Sequence, residues 1–130
     1  MTSKTAFVSG ATGFIGVNLV KQLVALEWDV TAMHRASSNI QYLSKFPVRR
    51  VVGDITELES LLRIMPDNID AVFHVAGNVS FDSAGDIAQN RDNIDGTKNM
   101  ISCSIDKKVS RFIHTSSGAS WGLQDNITIT

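Results

Sequence analysis

The residues with the plainest chemical meaning are glycines. Ser9-Gly10-Ala11-Thr12-Gly13-Phe14-Ile15-Gly16 lies between an apolar run, Ala6-Phe7-Val8, and a segment of helical spacing. A helix N-terminus carries unpaired N–H groups and a partial positive charge, so it holds anions such as a pyrophosphate. Gly10, Gly13 and Gly16 would permit a tight turn, close approach of backbone to phosphate, and close packing of helix on strand. Three glycines alone make only a turn; the strand before and the helix after them carry the reading. They point to a dinucleotide held by backbone contacts from Gly10, Thr12, Gly13, Phe14 and Ile15, with Gly16 completing the loop.

A second group bears on which dinucleotide. In such folds the second strand ends about twenty residues after the loop, at the ribose of the cofactor. An acid there bonds the 2′-hydroxyl and repels a 2′-phosphate. This sequence instead has His34-Arg35, and its nearest acid, Asp29, precedes the strand. A guanidinium is a planar fork matched to phosphate oxygens. Arg35, helped by Ser37, therefore favours NADP over NAD.

These groups need a scaffold, and the hydrophobic pattern supplies one. Short β-rich runs occur at Ala6–Val8, Val30–Met33, Val48–Val52, Ala71–Val75 and Arg111–Ile113. They are near-continuous apolar runs, which suits strands covered on both faces. Helical stretches alternate with them. The first has an apolar stripe of Ile15, Leu19, Leu23 and Leu26. A second covers Ser38 to Lys45, before Pro47, and a third Leu58 to Met65, stopped by Pro66. The fourth is long, from about Asp86 to Lys107, with Ile94, Ile101 and Ile105 on its inner face. This alternation predicts an α/β fold: a Rossmann-type, doubly wound parallel sheet of about five strands in the order 3-2-1-4-5.

Composition narrows the class further. The 130 residues, 43% hydrophobic and 19% charged, form one domain's worth of ordinary globular chain rather than a disordered one. Twelve basic against 13 acidic side chains leave a net charge of −1, without the broad field that nonspecific nucleic-acid or membrane-surface binding needs. No apolar run reaches the roughly 18 residues of a membrane helix. Met1 to Thr5 leads directly into a strand, so no secretory signal is expected, and a lone Cys103 fits a reducing compartment. Cytoplasmic is the expected location. His74 and His114 lie within apolar strands and read as packed, hydrogen-bonded residues, since no metal-binding spacing accompanies them. Trp28 reads as a packing anchor, Met33, Met65 and Met100 as core, and Arg49-Arg50 and Lys107-Lys108 as solvated surface.

Five segments in register resemble the extended short-chain dehydrogenase/reductase family, within the NAD-dependent epimerase/dehydratase superfamily and particularly its dihydroflavonol-reductase-like branch. Gly10 to Gly16 is similar to the family's TGxxGxxG loop. Gly53-Asp54-Ile55 resembles the segment whose aspartate contacts the adenine amine, implying cofactor contacts from Asp54 and from the Ile55 backbone. His74-Val75-Ala76-Gly77 is similar to the stretch lining the ribose and nicotinamide, implying contacts from Val75, Ala76 and Gly77. Asn93-Ile94-Asp95-Gly96-Thr97-Lys98-Asn99 resembles the N-x-x-G-T-x-N of the fourth helix, which implies a role for Asn93. Phe112 to Ser117 resembles the fifth strand and the serine after it. The resemblance implies cofactor contacts from Thr115 and Ser116, and a catalytic Ser117 that orients a carbonyl substrate.

In that family a tyrosine transfers the proton, its pKa lowered by a lysine one helical turn later. An unassisted phenol near pKa 10 is a poor base at neutral pH. The sole tyrosine here is Tyr42, with Phe46 four residues on, and no Tyr-x-x-x-Lys follows Ser117. The resemblance thus implies a cofactor-binding portion, residues 1–130, truncated before the later strands and the substrate-binding region, and catalytically incomplete alone. The expected ligands are NADP and, in a complete protein, a small carbonyl substrate. Trp121 and the loop Asn78–Asp82 would adjoin that substrate. Faces of the fourth helix and fifth strand left uncovered would favour self-association. Two other readings remain: an NAD-dependent sugar-nucleotide epimerase or dehydratase fragment, and a non-catalytic dinucleotide-binding protein.

Overall fold

The computed structural model describes residues 3–76 and 91–115. Five parallel strands form one sheet: β1 (Thr5–Ser9), β2 (Asp29–His34), β3 (Arg49–Val52), β4 (Ala71–His74) and β5 (Arg111–His114). Their order is β3-β2-β1-β4-β5, as the alternation predicts. Among the described residues three α-helices accompany them: α1 (Phe14–Ala25), α2 (Leu58–Ile64) and α3 (Gly96–Asp106).

Successive residues of a strand point to opposite faces, so a strand covered on both faces must be apolar at every position. Central β1 shows this. Phe7 enters one core with Met33, Ile55, Leu61, Val72, Met100 and Cys103. Ala6 and Val8 enter the other with Val20, Leu23, Val30 and Leu43. Trp28 packs edge-on against Phe73 with ring centroids 6.2 Å apart.

Several expectations change. Coverage on both faces holds only for β1, β2 and β4; Arg49, Arg50 and Val52 on β3, and Arg111, Ile113 and His114 on β5, are exposed because these strands form the edges. The helix expected over Ser38 to Lys45 is reduced to a short 3₁₀ turn, Leu43–Lys45. Polar side chains close local turns instead: Ser38 Oγ accepts the Arg35 N–H, and Asn39 Oδ1 accepts that of Gln41. On α1 the buried residues are Gly16, Val20 and Leu23, whereas Ile15 and Leu26 are exposed.

The fourth change is the largest. Ile94, Ile101 and Ile105 face outward, and α3 buries Gly96, Met100, Cys103 and Ser104. Close fit decides this orientation. A Cβ at Gly96 would lie 2.5 Å from Ile55 Cδ1, so α3 approaches Ile55 through its glycine. The helix is entered through a single π-helical turn, Arg91–Asp95. At its far end Lys107 is not fully solvated: it lies 3.8 Å from Asp67 Oδ1, and its carbonyl accepts the Asn68 N–H. Among the described residues no helix is long and apolar enough to cross a membrane.

Candidate functional site

At the carboxyl ends of β1, β2 and β4 the chain leaves a cleft of about 530 Å³, in the position where open parallel sheets receive ligands. The glycine turn forms one wall. Gly10 has φ +63°, and a Cβ there would meet Ala76 Cα and N at 2.8 Å. Gly16 packs tighter still, since its Cβ would fall on the Gly10 carbonyl. Backbone bonds fix the turn: Ala11 N–H donates to Met33 O at 3.2 Å, and Gly13 N–H to Gly10 O at 3.2 Å. Gly13 is the N-cap of α1. It offers no side-chain acceptor, and no acidic residue stands in the first turn. Among the described residues lining the cleft, no carboxylate balances the positive end of α1.

Thr12, Gly13, Phe14, Ile15 and Gly16 all line this cleft, together with Gly10. The end of β2 also lines it, with Met33, His34 and Arg35. Of the two serines that follow, Ser38 lines the cleft and Ser37 is not among its lining residues. The turn closes on itself through Ser38 N–H to Arg35 O at 3.0 Å and Arg35 N–H to Ser38 Oγ at 3.2 Å. His34 Nδ1 also lies 2.8 Å from Arg35 O. Three local bonds thus hold the Arg35 backbone at the cleft, and no carboxylate is among the described lining residues.

Gly53 and Ile55 line the floor between them. Asp54 lies just behind: its Oδ1 accepts the Thr56 N–H at 2.9 Å and the Thr56 hydroxyl at 2.7 Å, shaping the turn into α2. Asn99 Nδ2 donates to Ile55 O at 2.8 Å, so it is Asn99 of the N-x-x-G-T-x-N segment that ties α3 to this floor. Asn93, in the π-helical turn, is exposed and does not line the cleft. Thr115 is exposed too; its N–H bonds His74 O at 3.1 Å and extends the β4–β5 pairing. Gly77, Ser116, Ser117, Trp121 and the Asn78–Asp82 loop lie outside the described residues.

Val75 and Ala76, at the end of β4, complete the lining. Their amides are held by a side chain that sequence reasoning passed over. Ser9 Oγ accepts the N–H of Val75 at 2.9 Å and of Ala76 at 3.0 Å. The same oxygen shares a 2.9 Å hydrogen bond with His74 Nδ1, and His74 Nε2 lies 3.0 Å from Thr97 Oγ1. His74 is the packed, hydrogen-bonded residue expected. Burial, and secondarily the neighbouring His114, lower its pKa from 6.5 to about 4. His114 differs from expectation: it is exposed, and its ring stacks on that of His74 at 5.5 Å. Tyr42 stands apart from the cleft, exposed, with Lys45 Nζ 5.2 Å from its ring centre.

A five-stranded 3-2-1-4-5 parallel sheet with a glycine turn opening α1 at its carboxyl edge defines a Rossmann-type nucleotide-binding domain. Comparison with known proteins agrees. The chain belongs to the NAD dependent epimerase/dehydratase family, whose model matches residues 6–129. It is 36% identical over 118 residues to a putative dihydroflavonol 4-reductase of Synechocystis sp., covering 91% of this chain and 34% of that protein. It is 33% identical over 120 residues to sterol demethylase protein B of Methylococcus capsulatus, covering 92% and 36% respectively. A solved UDP-glucose 4-epimerase of Bifidobacterium longum, in complex with NAD+ and UDP, superposes with a TM-score of 0.82 at 26% identity, covering 98% of this chain and 41% of that one. The chain thus spans about a third of the length of the curated relatives it matches.

Proposed function

We propose that these residues are the NADP(H)-binding portion of an oxidoreductase that reduces a ketone or aldehyde to an alcohol, similar to the dihydroflavonol-reductase branch. One observation carries the reading: the uncapped start of α1 and Arg35 line the same cleft, with no carboxylate among its described lining residues. Gly10, Thr12, Gly13, Phe14 and Ile15 would hold the pyrophosphate, and Arg35 the 2′-phosphate. Ile55, Val75 and Ala76 would line the adenine and nicotinamide ends. Bound there, the nicotinamide supplies hydride. The 130 residues contain Tyr42 as their sole tyrosine, away from the cleft, so this reading gives them binding and leaves proton transfer unassigned.

Calorimetric titration with NADPH and NADH tests it. NADPH should bind at least tenfold tighter, and Arg35→Ala should erase that preference, since a charge-assisted bond to phosphate is worth about 1.5–3 kcal/mol. Equal affinities, or tighter NADH, would favour the second reading, an NAD-dependent sugar-nucleotide epimerase or dehydratase portion. That reading is supported by the 26% identity to an epimerase solved with NAD+. No saturable binding of either cofactor by folded protein overturns both.

A further inference from the structure

Three elements converge on one imidazole behind the cleft wall. His74 ends β4 and is 1% exposed; Ser9 ends β1, and Thr97 lies in the first turn of α3. A serine hydroxyl has one proton to give and two lone pairs to receive with. On Ser9 Oγ the lone pairs are taken by the amides of Val75 and Ala76, at 2.9 and 3.0 Å. The hydroxyl proton is then directed at His74 Nδ1, 2.9 Å away, and that nitrogen must be bare. The ring proton accordingly sits on Nε2 and is given to Thr97 Oγ1 at 3.0 Å. The opposite tautomer, or an imidazolium, would press a third donor onto the Ser9 oxygen. Among the described residues the ionisable group packed against the ring is His114, stacked at 5.5 Å from the neighbouring strand.

The wall held in this way is also the one against which the glycine turn closes. A Gly10 Cβ would sit 2.8 Å from Ala76 Cα and N, so the turn and the Val75–Ala76 backbone have no slack between them. Ser9 immediately precedes that turn. One hydroxyl therefore sets the spacing between two walls of the cleft.

We propose that His74 is a positioning residue: as the neutral Nε2–H tautomer it fixes the Ser9 hydroxyl, which in turn clamps the Val75 and Ala76 amides and sets the cleft width that a nicotinamide dinucleotide requires. The claim about affinity rests on the cofactor reading above; the claim about the clamp stands on the hydrogen-bond geometry. A histidine that merely fills space would make neither the tautomer nor the acceptor at Nδ1 matter.

Long-range ¹H–¹⁵N correlation spectra of the unmodified chain at neutral pH test the first link without any variant. The expected pattern is a bare Nδ1 and a protonated Nε2; the other tautomer, or an imidazolium, overturns the proposal. Two substitutions then separate the two ring nitrogens. His74→Asn keeps an acceptor near the Nδ1 position, whereas His74→Gln carries its amide out toward Thr97 and leaves the Ser9 proton without a partner. NADPH affinity should stay within about threefold of the parent in His74→Asn, and fall about tenfold in His74→Gln and in Ser9→Ala. Amide exchange at Val75 and Ala76 should follow the same order. Equal effects in the two histidine variants, or the reverse order, overturn the positioning role. If the unmodified chain binds no dinucleotide, the cofactor reading fails, and the tautomer and exchange rates still decide the clamp.

Discussion

Gly10, Gly13 and Gly16 are alike in the sequence and unlike in the structure. A Cβ on Gly16 would collide with the Gly10 carbonyl at 2.0 Å, and one on Gly10 would need φ +63° as well as room taken by Ala76. A Cβ on Gly13 meets nothing nearer than 3.6 Å. Gly16 is thus required by the protein's own packing, and Gly13 leaves space that the protein does not use. Gly16→Ala should lower the unfolding free energy by about 2–3 kcal/mol, the scale of overpacking a close contact. Gly13→Ala should change it by less than about 1 kcal/mol. Urea denaturation measures both. Under the cofactor reading Gly13→Ala should still cost at least tenfold in NADPH affinity, because the added methyl occupies the approach to the α1 amides; unchanged affinity would remove Gly13 from the binding surface. The turn itself was legible because its chemistry is local. The Ser9 clamp was not, because its partners lie 65 or more positions away, across the sheet.

Among the elements, the strands were the easier part to read. A strand buried on both faces must be apolar throughout, so β1, β2 and β4 announce themselves, and their alternation with helices leaves few parallel topologies. Helix faces were harder to assign. On α3 the isoleucines suggest an inner stripe, yet Ile105 is 73% exposed and Met100 is fully buried. A hydrophobic pattern records which residues tolerate burial; it does not record that Gly96 must fit over Ile55. Substitution distinguishes the two faces. Met100→Ala should cost about 2–5 kcal/mol, as cavity-forming changes do, whereas Ile105→Lys should stay within about 0.5 kcal/mol. A large loss in Ile105→Lys by urea denaturation would show that the isoleucine face is covered. The short 3₁₀ turn after β2 differs for a related reason: Ser38 and Asn39 look permissive in a helix, but their side chains close local turns on the N–H groups of Arg35 and Gln41.

For the whole molecule, the site's polar network implies a particular dependence of stability on pH. His74 has a pKa of about 4 in the folded chain against 6.5 when solvated, because burial and then His114 disfavour its charge. Between these values the unfolded chain carries a proton on this group that the folded chain lacks. Stability must therefore rise with pH across that window; it is fully present above about 6.5 and lost as the pH falls through about 4. The shift corresponds to about 3 kcal/mol, a sizeable share of the few kcal/mol by which small domains are stable. The comparison needs a reference that removes only this imidazole. His74→Asn provides it, since it keeps an acceptor for Ser9 and has nothing to protonate. Urea denaturation at pH 7 and at pH 4.5 should show the unmodified chain losing about 2–3 kcal/mol more than His74→Asn. Parallel losses would mean that His74 is solvated enough to ionise in place, and the two walls of the cleft would then be joined by something other than a neutral ring.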